Sequence, residues 1–220
     1  MFSTVAPRYD FITRAFSYGM DMSWKREGVD RAALRRPAIV LDLASGTGDF
    51  TRLVRERCPD VRSVAVDLTE SMLRLGQTRG VDEAVCADAT RLPFPDACFD
   101  CVFVGYGLRN FPNLKTALLE VERVTRPGGL LVTLDFFLPP NLLLRKLYLS
   151  YLYAQGVFWG FLLHRRPRIY TYIPDSLRHF VSIPEFKRLL ELHGYSGAGG
   201  RAFIFGGIGL LWAEKKVPQC

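Results

Sequence analysis

Residues 39–49, Ile-Val-Leu-Asp-Leu-Ala-Ser-Gly-Thr-Gly-Asp, constrain the fold more than any other stretch of the chain. An apolar run ending in an acid, small residues and a Gly-x-Gly reads as a buried strand that feeds a tight turn and then a helix. Gly46 and Gly48 let the backbone turn sharply and approach a ligand closely, and Asp49–Glu56 begin the helix. A Gly-x-Gly alone fits an ordinary loop equally well. Residues 61–67, Val-Arg-Ser-Val-Ala-Val-Asp, tip the balance, because they form a second apolar run ending in a carboxylate nineteen positions after Gly48. That spacing suits hydrogen bonding to ribose hydroxyls. NAD and S-adenosylmethionine (SAM) both carry such a ribose. A dinucleotide site calls for a third glycine, where this chain has Thr51, and Asp49 would repel a phosphate while suiting the ammonium of a methionine moiety. SAM is therefore the expected cofactor.

Three further segments fall where such a sheet needs them. Asp88 follows a short strand at 83–86 and is placed to accept from an adenine amino group, with Ala89 leaving room for the ring; a helix N-cap is the competing role for Asp88. Strand 100–106 brings Gly105 beside the sulfonium. Arg126-Pro127-Gly128-Gly129 reads as a structural turn before the apolar strand 130–134, which ends at Asp135. Strands and helices alternate from 38 to 136, the pattern of a parallel sheet with helices on both faces. Helix 113–125 carries Leu114, Ala117, Leu118, Val121 and Val124 on one stripe, with Asn113 as cap. Residues 3–35 read as a helical cover. Near the end, Ser182-Ile183-Pro184-Glu185 is a capping box for a helix stopped by Gly194, and strands near 200–205 and 207–213 should form a hairpin around Gly206-Gly207.

With 220 residues and 49% apolar content, one domain with a sizeable core is expected. The five cysteines are odd in number and lack paired ligand spacing, which suggests a reducing compartment and no metal. The N-terminus lacks a continuous apolar segment, so the chain is expected to be cytoplasmic. A net charge of +7 suits a membrane surface or nucleic acid. Nucleic acid is the weaker expectation, since the basic residues are scattered and no Asn-Pro-Pro-Tyr segment is present to grip a flipped base. The anomaly is 136–172, with five Lys or Arg and no Asp or Glu; its centre, Leu147 to Leu163, holds seventeen consecutive uncharged residues. Three readings stay open: a poor transmembrane span, a lid helix buried on the core, or an apolar lid touching an anionic membrane surface.

The hallmark segments Tyr9-Asp10, Trp24-Lys25-Arg26, Leu41 to Gly48, Asp67 with Glu70-Ser71-Met72, Leu92-Pro93-Phe94-Pro95 and Gly107-Leu108-Arg109-Asn110 resemble the ubiquinone and menaquinone C-methyltransferase family (UbiE/MenG type) along nearly the whole chain. The last segment is the specific one. The resemblance implies a Rossmann-like class I methyltransferase, α/β, with a mostly parallel seven-stranded sheet, and the uncharged run is expected to make 137–180 an apolar substrate lid inserted in it. It implies SAM contacts at Thr47, Asp67, Asp88, Ala89 and Gly105, within a pocket that also takes in Asp42, Gly46, Gly48, Leu68 and Met72. Where Gly105 stands the family usually has Ser; where Asp21 stands, His; and Ile12-Thr13 and Arg168-Ile169 also depart from its pattern. The implied reaction is methyl transfer to a ring carbon of a polyprenyl quinol, demethylmenaquinol or its benzoquinol equivalent. Carbon is a poor nucleophile until the neighbouring hydroxyl loses its proton. Arg109 is the candidate to hold the phenolate and position water, Asn110 to orient the quinol oxygen, and Tyr9 to close the site. Asp135, Asp10 and His179 are candidate bases, and His193 is structural. Another aromatic acceptor, an RNA substrate or a catalytically silent SAM-binding subunit are the alternatives. Contact with an anionic membrane is expected, no nucleic acid, and a homodimer is left open.

Overall fold

A computed structural model describes residues 14–166 and 170–218. Tyr9, Asp10, Ile12, Thr13, Arg168 and Ile169 lie outside the described residues.

The opening strand β1 (Ile39–Leu43) lies inside a seven-stranded sheet of order β3-β2-β1-β4-β5-β7-β6. β2 (Arg62–Asp67) and β4 (Phe99–Gly105) flank it in parallel, β3 (Glu83–Cys86) pairs with β2, and β5 (Thr125–Phe136) pairs with β4. β7 (Ile208–Lys215) then runs antiparallel to β5, and β6 (Tyr195–Phe203) antiparallel to β7. Burial on both faces explains why Val40, Leu41 and Leu43 form a near-continuous apolar run rather than an alternating one. One face packs Phe50, Phe103, Val132 and Leu210 against Trp24; the other packs Val102, Val104 and Leu211 against Leu118, Val121, Phe186 and Leu190. The sheet is thus covered on both sides by α1 (Asp21–Ala33), α2 (Asp49–Arg57), α3 (Glu70–Gln77), α4 (Leu114–Val124) and later helices.

Local signals hold where they are strongest. In α4 the Asn113 side chain accepts from the Thr116 N–H at 3.1 Å, and Ala117, Leu118, Val121 and Val124 are buried as the stripe requires. The Ser182/Glu185 capping box opens the helix Ile183–Leu192, and Gly194 follows it at φ +82°. The closing hairpin turns at 204–206, but β6 starts at Tyr195, ahead of the expected strand near 200. Gly197, Gly199 and Gly200 hid it, since glycine weakens a strand signal. Gly199 and Gly200 are there because Trp212 and Leu210 lie across them: a Cβ on Gly199 would sit 2.6 Å from the Trp212 ring nitrogen, and one on Gly200 would sit 2.4 Å from the Leu210 carbonyl, whereas Gly197 serves a left-handed turn at φ +62°.

The anomalous segment is a single helix, α5 (Leu142–His164), whose Asn141 cap accepts from Leu143 and Leu144 N–H groups. Its inner face is core: Tyr148 and Leu152 are buried, and Gly156 approaches the chain so closely that a Cβ there would lie 3.0 Å from the Tyr170 carbonyl oxygen. Its outer face is open, with Leu142, Leu143, Leu147, Phe158, Phe161 and Leu162 exposed. Among the described residues no helix is long and apolar enough to cross a membrane, which disposes of the transmembrane reading. After it, α6 (Tyr172–Leu177) and α7 (Ile183–Leu192) return the chain to the sheet.

Candidate active site

The C-terminal ends of β1, β2 and β4 converge on a cavity of about 730 Å³, counting its open mouth, whose lining includes Gly46, Asp67, Leu68, Met72, Asp88 and Ala89. These are the positions at which an open α/β sheet binds its ligand. Gly46 (φ +55°) and Gly48 (φ +79°) make the turn, and Gly48 caps α2 in the left-handed conformation. The two Asp67 carboxylate oxygens accept from the Gly46 N–H at 2.9 Å and the Thr69 N–H at 2.8 Å, so one side chain ties the glycine turn to the loop after β2. Asp88 accepts from the Thr90 N–H and hydroxyl, both at 2.8 Å, and these bonds hold its carboxyl below the usual range. It braces a turn, not a helix. Carboxylates and the apolar Leu68, Met72 and Ala89 suit a nucleoside, and no Lys or Arg is among the described residues lining the cavity to meet a pyrophosphate. The donor set fits SAM.

Asp42, Thr47, Gly48 and Gly105 are placed behind this lining. Asp42 is 2% exposed, and one of its oxygens accepts from the Thr51 N–H at 3.0 Å and hydroxyl at 2.9 Å, under the turn. Thr47 is buried, and its carbonyl accepts from Arg52. At Gly105 a Cβ would come within 2.8 Å of Phe50, which stacks on Phe103. Phe50 thus fills the space that a serine side chain would need. Asp49, expected to suit an ammonium, is instead bound to Lys25 at 2.6 Å and to Arg52; burial works to raise its pKa, yet these cations hold it below the usual value. Lys25 also pairs with Asp21 at 3.4 Å and lies over the Tyr106 ring, tying α1 to the cofactor turn. Sequence reasoning missed Ala44, Thr69, Tyr106, Phe111 and Pro112 as lining residues; only the left-handed φ of Ala44 and Tyr106 marks two of them as unusual, and that is invisible in sequence.

The short helical turn Leu108–Asn110 after β4 carries the reactive candidates. Asn110 lines the cavity and donates to the Tyr106 carbonyl at 3.3 Å. Arg109 sits one layer deeper, donating to Asp135 at 2.6 Å and to the Tyr106 carbonyl at 3.1 Å, with its guanidinium 5.0 Å from the Phe136 ring. Asp135 is fully buried; its oxygens also accept from the Leu108 and Phe136 N–H groups, both at 2.8 Å. Burial pushes the Asp135 carboxyl upward, with Arg109 and these N–H groups acting against it. Every partner is a donor, so Asp135 anchors Arg109 and does not face the cavity as a free base. Tyr172, on α6, hydrogen-bonds Arg109. A guanidinium only donates, so the Tyr172 oxygen accepts. His179 is exposed on the surface, and His193 bonds the Leu189 carbonyl at 2.7 Å as a helix cap, the structural role expected of it.

Burial pushes the Asp42 carboxyl up to about 7, with repulsion from Asp49 adding to it and Thr51 and Lys25 opposing. Because the folded value lies above the unfolded one, the folded chain holds a proton that the unfolded chain has released between about pH 4 and pH 7. Stability from this group is therefore lost as pH rises through that window. In the absence of SAM, Asp42→Asn should gain on the parent protein as pH rises from 4 to 8, by up to about 4 kcal/mol. Denaturant midpoints at several pH values measure it. Parallel curves for the two proteins would refute it.

A family model described as the ubiE/COQ5 methyltransferase family matches residues 1–215. The chain belongs to the ubiE/COQ5 methyltransferase family. It is a SAM-dependent methyltransferase with the class I fold. Its relatives include the demethylmenaquinone methyltransferase of Thermus thermophilus, 39% identical over 89% of this chain and 91% of that one. The ubiquinone/menaquinone biosynthesis C-methyltransferase UbiE of Geobacter sulfurreducens is 36% identical over 98% and 87%. Among solved structures, the plantazolicin methyltransferase BpumL in complex with SAH superposes with a TM-score of 0.71 over 98% of this chain and 93% of that one. At 11% identity that likeness speaks for the ubiE/COQ5 member's fold alone.

Proposed function

We propose that this protein methylates a ring carbon of a polyprenyl quinol, demethylmenaquinol first and the benzoquinol equivalent second. The observation that carries the reading is the turn after β4, which sets Asn110 on the wall of the SAM cavity and Arg109 directly behind it on a buried carboxylate. Bound SAM supplies an electrophilic methyl group on a sulfonium. The protein's part is to make the acceptor carbon nucleophilic. Asn110 orients the quinol oxygen, and Arg109 favours its ionised form through a positive charge fixed in a water-poor site. The hydroxyl proton passes to water, because Arg109 has no basic site and Asp135 is enclosed. The role that the family resemblance implies for Tyr9, closing the site, falls outside the described residues. Asp67 and Asp88 hold the ribose and the adenine amino group, and Gly46, Leu68, Met72 and Ala89 shape the pocket. Asp42, Thr47, Gly48 and Gly105 support it from behind.

A long-tailed quinol is nearly insoluble in water, so its enzyme gains from collecting it at a bilayer. The open apolar face of α5, between Arg145-Lys146 and Arg165-Arg166, suits peripheral contact with an anionic membrane. Turnover with a demethylnaphthoquinol, a demethylbenzoquinol and a tail-less phenol tests the assignment. The long-tailed naphthoquinol should be methylated on carbon and the phenol should react poorly. Preference for the phenol would transfer the proposal to a small aromatic acceptor.

A further inference from the structure

The tip of the β6–β7 hairpin carries a large apolar side chain that the core does not use. Phe205 is 80% exposed, more than any other large apolar side chain among the described residues. Ile204 and Phe205 both adopt left-handed backbone, at φ 49° and 54°. That conformation is disfavoured for residues with a Cβ, and most for a β-branched one. A connection needing only to reverse the chain would place glycine there, as Gly206 (φ +85°) does one residue later. The tip is also fixed in place rather than loose. Tyr148 of α5 donates its hydroxyl to the Gly207 carbonyl at 2.7 Å, the Phe137 N–H donates to the same oxygen at 3.0 Å, and Gly206 packs beside Pro140.

These contacts set the tip against the start of α5, where Leu142, Leu143 and Leu147 are exposed at 69%, 67% and 60%. Two cationic residues adjoin the patch. Arg145 donates to the Pro139 carbonyl at 3.1 Å, Lys146 is exposed, and residues 136–172 contain no carboxylate. Glu185, which feels Arg145, is tied into the capping box with Ser182. An apolar crest with basic flanks matches the interface of an anionic bilayer, where apolar groups enter the acyl boundary and cations meet headgroup phosphates. We infer that Phe205 and the hairpin tip form an inserting wedge, continuous with the outer face of α5, that seats this enzyme on an anionic phospholipid bilayer. The inference rests on the proposal that the acceptor is a membrane quinol, and it assigns the contact to a second element.

Co-sedimentation with vesicles of phosphatidylglycerol and phosphatidylcholine tests it, using Phe205→Ser, the pair Leu142→Ser with Leu143→Ser, and Phe205→Trp. SAM binding in solution serves as the check on folding. The expected result is a partition constant about tenfold lower for Phe205→Ser, from the loss of one buried aromatic side chain, with SAM binding unchanged. The Phe205→Trp fluorescence should be quenched by lipids brominated in the acyl chain. Wild-type binding in Phe205→Ser, or an unquenched Phe205→Trp, overturns the wedge while leaving membrane contact through α5 intact. If wild type ignores vesicles altogether, both the wedge and the membrane reading fail. Should Phe205→Ser turn a vesicle-indifferent dimer into a monomer, the surface belongs to a second copy of this chain, and the wedge falls.

Discussion

Arg109→Lys should retain SAM affinity and lose at least about 100-fold in kcat, the scale of removing one positioned donor to a developing negative charge. Lysine keeps the positive charge but not the planar fork, and Arg109 uses that fork on Asp135, the Tyr106 carbonyl and Tyr172 together. A point-like ammonium can satisfy the carboxylate or stay near the cavity wall, not both. Stability should fall by about 1–2 kcal/mol through lost hydrogen bonds, whereas Arg109→Ala, which leaves Asp135 as an unpaired buried charge, should cost about 3–5 kcal/mol. Isothermal titration with SAM, steady-state kinetics and denaturant melts separate the three effects. Equal loss of SAM binding and turnover in Arg109→Lys would make Arg109 a residue of the cofactor pocket and remove it from the chemistry.

The second large effect is expected at Asp67. Its carboxylate binds the Gly46 and Thr69 N–H groups and lines the cavity, so Asp67→Ala should remove the proposed ribose contact and loosen the turn that forms the pocket floor. SAM affinity should weaken by about 2–4 kcal/mol, or about 30- to 1000-fold. Asp67→Asn should fall between, since an amide presents one acceptor oxygen in place of two. NAD should bind negligibly to both parent and variants. Calorimetry returning unchanged SAM affinity in Asp67→Ala, or tight NAD binding in the parent, would remove Asp67 from the ribose.

What reads from sequence is what is local. The run Ile39–Leu43 with its Gly-x-Gly, the acid ending β2, the stripe and Asn113 cap of α4 and the Ser182/Glu185 box are each set by neighbours a few residues apart, and each appears as expected. Alternation also dictates a parallel sheet with helices on both faces, while the strand order, reversing at β1, appears only in the fold. Strand β6 escaped because Gly199 and Gly200 answer to Trp212 and Leu210, which lie across the hairpin on β7.

Side-chain roles at the site depended on packing between distant segments. Sequence presents Asp49 as a free acid near the cofactor, while the fold brings Lys25 from twenty-four residues earlier to bind it. It presents Asp135 as a strand-end base, while Arg109, twenty-six residues away, closes over it and joins it in a buried pair. Gly105 reads as a lost serine until Phe50 is seen filling the volume. The centre of helix α5 carries no charge on any side in sequence, and only what packs beneath it decides that Tyr148 and Leu152 face inward while Leu147 and Phe158 are left to solvent. Periodicity, capping and turn chemistry act over one or two helical turns, so the chain itself carries the SAM-binding scaffold. Partner choice among buried charges and the open face of an apolar helix are set by which distant surfaces meet, and the tertiary structure alone decides that.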